Sequence, residues 1–185
     1  GLLGHLTYFW PMLGVPLTTA RSVSVHNARL AEELQRRYSH SRIATIRMGV
    51  TDPTSTLDDK TRKSTRTTLG FSSEHVVFAA YGGLTPEKRI PQILRAIKNL
   101  KPTNPLIRLL LVGSPVAHYD ARADAHTLGI EHLVTFTDHV GDAELPQYLD
   151  AADVYLCLRW PSTGETSASM VRCLAMGKPI ISTDL

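Results

Sequence analysis

Two segments of this 185-residue chain combine backbone freedom with charge in a way that suits a phosphorylated ligand. The first is Gly82-Gly83-Leu84-Thr85-Pro86-Glu87-Lys88-Arg89. Paired glycines let the main chain turn sharply or come close to a bound group. Thr85 is suited to cap a following helix, with Pro86 preset for its first turn. Lys88 and Arg89 then stand beside a helix start, where free amides favour an anion. A cation there is disfavoured by about 0.3–1 kcal/mol unless an anion neutralises it. Taken alone, the segment is equally readable as an ordinary strand-turn-helix link with solvated basic residues.

The second segment runs from Arg159 to Ser169 and sets Glu165 among hydroxyl and small residues at another helix start. A lone carboxylate there can bind sugar hydroxyls, while the amides of Thr166, Ser167 and Ala168 can hold a phosphate. The plainer alternative is that Glu165 only complements the helix dipole. Arg159 closes an apolar run and is either snorkelling to the surface or presented to a ligand crevice. A third stretch, Thr137-Asp138-His139-Val140-Gly141, can border a nucleotide base or be a simple turn. Gly113, which ends a further apolar run, joins this set of ligand-facing positions.

Other chemistries find no support. His118, His126, His132 and His139 lack metal-ligand spacing, and no Cys-x2-Cys pair exists, so no metal site is expected. Neither a Gly-x-Ser-x-Gly elbow nor a Gly-x4-Gly-Lys-Ser/Thr loop occurs. A formal charge of +3 and 6% aromatic residues, not interleaved with a basic stripe, argue against nucleic acid as a partner. No transmembrane segment is expected, because no stretch nears the roughly 18 apolar residues a span needs. Cys157 and Cys173 lie in apolar runs and read as buried thiols of a reducing, cytoplasmic compartment rather than a redox pair.

The elements that must position these loops follow from periodicity. Strands are expected at Ser22–His26, Arg42–Arg47, His75–Tyr81, Ile107–Val112, Leu133–Phe136, Asp153–Leu158 and Pro179–Ser182. Helices are expected at Asn27–Tyr38, along the stripe Ile93, Leu94, Ile97 and Leu100, and at Tyr119–Leu128, Ala143–Ala151 and Thr166–Met176. Asn27 is suited to cap the first. Met48–Ser55 reads as a linker, and polar Leu57–Leu69 as an exposed helix or a mobile connector. Strands apolar on both faces, alternating with helices, predict an α/β, doubly wound parallel sheet. Ligands of such sheets lie at the carboxyl ends of the strands, where the three loops fall. The apolar start, including Leu6-Thr7-Tyr8-Phe9-Trp10, and the stop directly after a strand predict that both ends are cut from a larger fold.

In order and spacing, four stretches resemble the group 1 (family 4) glycosyltransferases, whose GT-B architecture faces two Rossmann-like domains. Ile46-Arg-Met-Gly49-Val50 is similar to the junction leaving the N-terminal domain. Gly82-Gly-Leu-Thr-Pro-Glu87-Lys88 is similar to a Gly-Arg-Leu-x-x-Glu-Lys loop, and Val134–Leu145 to Val-x-Phe-x-Gly-x-Val…Glu-Leu. Ala152-Asp153-Val154 through Pro161-Ser162, Glu165, Gly177 and Pro179 carries the last motif. The resemblance covers roughly Ser22–Asp184. It implies residues 1–48 as the tail of the acceptor-side domain and 49–185 as a truncated nucleotide-sugar-binding domain.

By this resemblance Lys88 holds the donor pyrophosphate and Glu165 contacts the transferred sugar, with amides of Thr166–Ala168 at the distal phosphate. The implied activity is retaining sugar transfer from a nucleoside-diphosphate sugar, without metal or other cofactor, to an unknown sugar, lipid-linked or small-molecule acceptor. A GT-B sugar-nucleotide epimerase, or a module that binds donor without turnover, are the alternatives. Gly83 replaces the family's loop arginine, for which Arg89 or Arg159 could substitute. Cys173, or Arg172 when the alignment is anchored on Gly177, stands where the family has its ribose-binding glutamate, and Asp138 replaces the base-side glycine. An uncovered interdomain surface predicts self-association of the piece.

Overall fold

In the computed structural model, residues 14–53, 57–162 and 164–184 are described. The apolar start through Trp10 and part of the expected linker lie outside them. Among the described residues the chain forms two compact units: one holds residues up to Gly49 with Pro161–Ala168, the other Val50–Trp160 with Ser169–Asp184. The break after Gly49 falls one residue past the expected limit of the first domain. The grouping of Pro161–Ala168 with that first unit was not apparent in the sequence.

The first unit is a short β-α-β piece preceded by α1 (Gly14–Thr19). Strand β1 (Val23–Val25) pairs in parallel with β2 (Ile43–Thr45), joined by α2 (Ala28–Arg37). Asn27 caps α2 as its sequence position implied, its side chain accepting from the Leu30 amide at 2.7 Å. Leu34 is the residue of α2 that is buried.

The second unit is a five-stranded, wholly parallel sheet in the order β5-β4-β3-β6-β7. Its elements are α3 (Asp59–Thr68), β3 (Val76–Tyr81), a 3₁₀ turn (Pro86–Lys88), α4 (Ile90–Leu100), β4 (Ile107–Val112) and α5 (Ala121–Thr127). A 3₁₀ turn (Glu131–Leu133), β5 (Val134–Asp138), α6 (Leu145–Asp150), β6 (Val154–Cys157), α7 (Ala168–Ala175) and β7 (Ile180–Ser182) follow. Leu133, expected to open a strand, is taken into the turn before β5. Strand β4 shows why its sequence is apolar apart from Arg108. Leu109 and Leu111 join Ile90, Ile93, Leu94 and Ile97 in one core layer, while Leu110 and Val112 join Val77, Leu145, Tyr155 and Cys173 in the other. A strand covered on both faces has no polar side to show.

Helix α3 realises one of the two readings of Leu57–Leu69, an exposed helix rather than a mobile connector: Asp58 caps a ten-residue helix and accepts from the Thr61 amide at 2.7 Å. Its docking was not apparent in the sequence. Arg66 on it is only 6% exposed. Its guanidinium donates to Ala151 O at 2.9 Å, Ser72 O at 2.9 Å, His75 O at 2.5 Å and the Asp153 carboxylate at 3.2 Å. Arg62, one turn earlier, reaches Asp153 Oδ1 at 2.6 Å. Asp153 also accepts from the Val77 amide at 2.8 Å, so one carboxylate ties α3 to the amino ends of β3 and β6.

Candidate functional site

At the opposite, carboxyl ends of these strands, backbone geometry gathers the glycine loop and its lysine. Gly82, with φ of 97°, directly follows β3. A Cβ at Gly82 would overlap Lys88 Nζ and stand 3.1 Å from Ser169 Oγ, so a side chain there would displace the ammonium, and the φ of 97° itself favours glycine. Gly113, with φ of 142°, ends β4 against the Gly82 carbonyl, and a Cβ there would collide with that peptide. Two strand ends are thereby drawn together, with the Gly82 amide donating to Val112 O at 2.8 Å and Leu84 N to Ser114 O at 3.0 Å. Leu84, 2% exposed, pins the loop to the core. Gly83 is exposed.

Lys88 is half-buried at this junction. Its ammonium donates to Tyr81 O at 2.5 Å and to Ser169 Oγ at 3.3 Å, and lies 6.0 Å from the centre of the Tyr81 ring. Burial, followed by the positive charge of Arg159, pushes Lys88 below the ordinary lysine pKa, against a smaller opposing influence of Cys157 and Cys173. A bound anion would favour the charged form of Lys88. The backbone supports this placement: Trp160 N donates to Glu87 O at 2.8 Å, and Arg159 N to Thr183 Oγ1 at 2.9 Å.

The helix start after Lys88 differs from the simple capped start that the sequence suggests. Pro86–Lys88 forms a 3₁₀ turn, and the Thr85 side chain makes no capping hydrogen bond. Arg89 follows in the left-handed region, with φ of 62°, and α4 begins only at Ile90. The reversal at Arg89 separates the turn that carries Lys88 from the helix proper.

Around this centre lie two arginine-carboxylate pairs. Asp138, with φ of 57°, occupies a left-handed conformation, which accounts physically for glycine in the motif it departs from. Its carboxylate pairs with Arg122 Nη2 at 2.9 and 3.0 Å, and the Arg122 guanidinium stacks 4.3 Å from the Phe136 ring centre. His139 beside it is exposed. An open groove of about 550 Å³ runs along the loop after β4, lined by Pro115, His118, Tyr119 and Arg122 among others. Arg172, on α7, donates from Nη1 to Asp142 Oδ1 and to the Tyr81 hydroxyl, both at 2.8 Å. Asp142 and the ion pair it makes raise Arg172 above its ordinary pKa.

Within the other unit, Ser162 Oγ donates to Glu165 Oε2 at 3.0 Å, and Gly164 N donates to Ser162 Oγ at 3.2 Å. Asn27 Nδ2 holds the same loop through Gly164 O at 3.0 Å and Thr166 Oγ1 at 3.5 Å. Glu165, Thr166, Ser167 and Ala168 thus share a unit with β1-α2-β2. Lys88, Gly82, Gly113, Arg159 and Arg172 belong to the sheet unit. Helix α7 starts at Ala168 rather than Thr166.

Ser169, Tyr81 and Asp142 were not foreseen as site residues. Ser169 looks like any of the hydroxyls in its loop, and only the three-dimensional return of α7 to the end of β3 brings it to Lys88. The two cysteines are free, Cys173 buried and Cys157 half-buried. Among the described residues no group of three or more His, Cys, Asp or Glu could hold a metal ion, and no described helix is long and apolar enough to cross a membrane.

A parallel sheet flanked by helices, with glycines at the carboxyl ends of its strands, defines a Rossmann-like α/β domain. Residues 75–185 match the family "Glycosyl transferases group 1", which is more than half of the chain, and the protein belongs to that family. It is 27% identical over 120 residues to alpha-monoglucosyldiacylglycerol synthase of Streptococcus pneumoniae, covering 64% of this chain and 26% of that relative. Among solved structures it resembles HepE of Anabaena in complex with UDP and glucose, with a TM-score of 0.72 at 18% identity, over 93% of this chain and 47% of that one. A glycosyltransferase from Rickettsia africae matches with a TM-score of 0.72 at 16% identity, over 89% and 45%. These likenesses show the GT-B fold, and the chain spans about half the length of the structures it matches.

Proposed function

We propose that this chain is the donor side of a glycosyltransferase that moves a sugar, with retention, from a nucleoside-diphosphate sugar to a sugar, lipid-linked or small-molecule acceptor. The observation that carries this reading is the half-buried Lys88, crowded by Arg159 and seated on Gly82 at the carboxyl end of a parallel sheet. Lys88 and Arg159 meet the diphosphate, with Arg89 beside them. Gly82, Gly83 and Gly113 leave the backbone open to close approach. Glu165 takes the hydroxyls of the transferred sugar, and the amides of Thr166, Ser167 and Ala168 take the distal phosphate. Asp138 and His139 border the base.

Sugar transfer breaks the bond from the anomeric carbon to the diphosphate, so negative charge grows on the departing phosphate. A cation already desolvated and fixed there stabilises that charge without reorganising, the usual source of such rate enhancement. Lysine, arginine and helix-terminal amides supply this stabilisation with no metal ion required. The UDP in the HepE complex makes a uridine donor the first to test. Two free thiols support a cytoplasmic, reducing setting. Exposed Trp160, Leu174 and Ile181 offer an apolar surface through which separate copies would associate.

Calorimetric titration of the chain with UDP, GDP and ADP tests the reading. One nucleotide is expected to bind saturably, and Lys88→Ala to weaken it by about tenfold or more, the worth of a hydrogen bond to a charged group. No binding of any of the three would overturn the donor-site assignment. Equal binding by the variant would remove Lys88 from it.

A further inference from the structure

Asn27 caps α2, a task that serine, aspartate and asparagine perform about equally well. Of these three, asparagine alone adds an amide donor to the capping oxygen. Its Oδ1 is committed to the Leu30 amide at 2.7 Å, which turns Nδ2 away from the helix. That amide donates to Gly164 O at 3.0 Å and to Thr166 Oγ1 at 3.5 Å. We propose that Asn27 is the positioning residue of the loop that carries Glu165. It holds the Glu165 carboxylate, and the amides of Thr166, Ser167 and Ala168, in place for the sugar and distal phosphate of the donor. This rests on the nucleotide-sugar reading and deepens it.

Three observations carry the assignment. First, the acceptors that Asn27 takes lie on either side of Glu165, a main-chain oxygen before it and a hydroxyl after it. A single side chain thereby restrains the backbone from which the carboxylate projects. Second, the loop's internal ties are short-range. Ser162 Oγ donates to Glu165 Oε2 at 3.0 Å and accepts from Gly164 N at 3.2 Å, both within residues 162–165. These bonds shape the turn and leave its place in the fold open. Asn27, 137 residues away in the chain and in the same compact unit, ties it to an ordered helix. Third, Asn27 is itself fixed. Its oxygen sits in the cap, α2 docks through buried Leu34, and the strands that α2 joins are paired. A group held on a regular element positions a binding loop more closely than a group on another loop. Asn27 is a positioning residue, and Glu165 and the amides after it are the groups it serves.

Calorimetry with UMP and UDP-glucose tests this, or with the matching guanosine or adenosine pair if that base binds instead. UMP lacks the distal phosphate and the sugar, so it reports the rest of the site. The unaltered chain is expected to bind UDP-glucose about tenfold more tightly than UMP. Asn27→Asp and Asn27→Ser each keep a capping oxygen and remove the amide. Both should weaken UDP-glucose by about tenfold, as for hydrogen bonds to a charged group, and leave UMP affinity unchanged. Thermal unfolding of each variant confirms that it folds. Serine brings no charge, so a loss confined to Asn27→Asp is repulsion of the anion and overturns the assignment. Equal losses for UMP and UDP-glucose, or no preference for UDP-glucose in the unaltered chain, also overturn it and leave the nucleotide site standing. Failure of the unaltered chain to bind any nucleotide overturns both.

Discussion

Arg66, at the amino ends of the strands, and Lys88, at their carboxyl ends, are both cations drawn into one apolar domain, and they are treated oppositely. Arg66 meets the Asp153 carboxylate and three carbonyls, and only its Nε lacks a partner among the described residues. Lys88 gives its hydrogen bonds to one carbonyl and one hydroxyl, and burial, followed by the positive charge of Arg159, disfavours its charged form. A buried charge is costly unless it is paired. The amino end supplies the counter-charge from the chain itself, which is what a structural brace requires. At Lys88 the described hydrogen bonds supply none, which fits the anion site proposed for it.

The largest effect that would test this contrast is on stability. Arg66→Met leaves Asp153 without its buried partner and strips three carbonyls of their donor. A loss of about 3 kcal/mol is expected in urea unfolding, as for breaking a buried pair. Arg62→Met should cost about 1 kcal/mol or less, since Arg62 and Asp153 are 31% and 33% exposed and water screens them. Equal small losses from the two variants would mean that Asp153 is no brace, and the two ends of the sheet would no longer differ in kind.

The inner strands were legible because they are largely apolar on both faces, a pattern that Val76–Tyr81 and, apart from Arg108, Ile107–Val112 share and that few other arrangements tolerate. The loops were legible because they must follow those strands. Helix α3 was legible only as one of two alternatives, and its docking not at all, since Asp59–Thr68 is polar along its whole length and its anchors are Arg62 and Arg66. Sequence periodicity reads apolar side chains and has no means of seeing a helix docked by ion pairs. Asp142 stayed hidden for a related reason: its partner is thirty residues away on another element, and nothing in either local sequence names the other. The arginine at 172 was visible as a departure, while the carboxylate it holds required three dimensions.

A smaller effect is expected with pH, stability rising with pH at both ends but for opposite reasons: the charged form is favoured at Asp153 and disfavoured at Lys88. Burial raises the Asp153 carboxyl, but the hydrogen bond from the Val77 amide and the pairs with Arg66 and Arg62 outweigh it and hold the pKa below the ordinary value. The stability Asp153 contributes is therefore present above the ordinary carboxylate range and lost as pH falls through its lower folded value. Lys88 is depressed mainly by burial, so its charged form is held at a cost in neutral solution. That cost fades as pH rises from its folded value toward the ordinary lysine value, and stability climbs accordingly. Asp153→Asn should flatten the acid limb of a stability-pH curve measured by urea unfolding, and Lys88→Met the alkaline rise. A bound nucleoside diphosphate should suppress that alkaline rise in the unaltered chain, because the anion restores the preference for charged lysine. An alkaline rise that survives in Lys88→Met would place the strained cation elsewhere.

The smallest effect concerns whether the carboxyl end pairs any of its charges firmly. Asp138 holds a left-handed conformation, with φ of 57°, that glycine adopts without strain, and it pairs with Arg122 in an exposed bridge. Replacing it by glycine relieves about 1 kcal/mol or less of backbone strain, aspartate being among the residues that tolerate this region best. The same change removes an ion pair whose partners are 53% and 61% exposed, worth about 0–1 kcal/mol. The stack of Arg122 on Phe136 does not involve the carboxylate and should survive. The two terms oppose, so Asp138→Gly should shift the unfolding free energy by only about 0.5 kcal/mol in either direction. A loss well beyond 1 kcal/mol would show a carboxyl-end pair as firm as the Asp153 brace, and the contrast would then narrow to Lys88 alone. A gain of that size would show that the aspartate is kept at the expense of stability, which is the expectation for a side chain retained to meet a ligand.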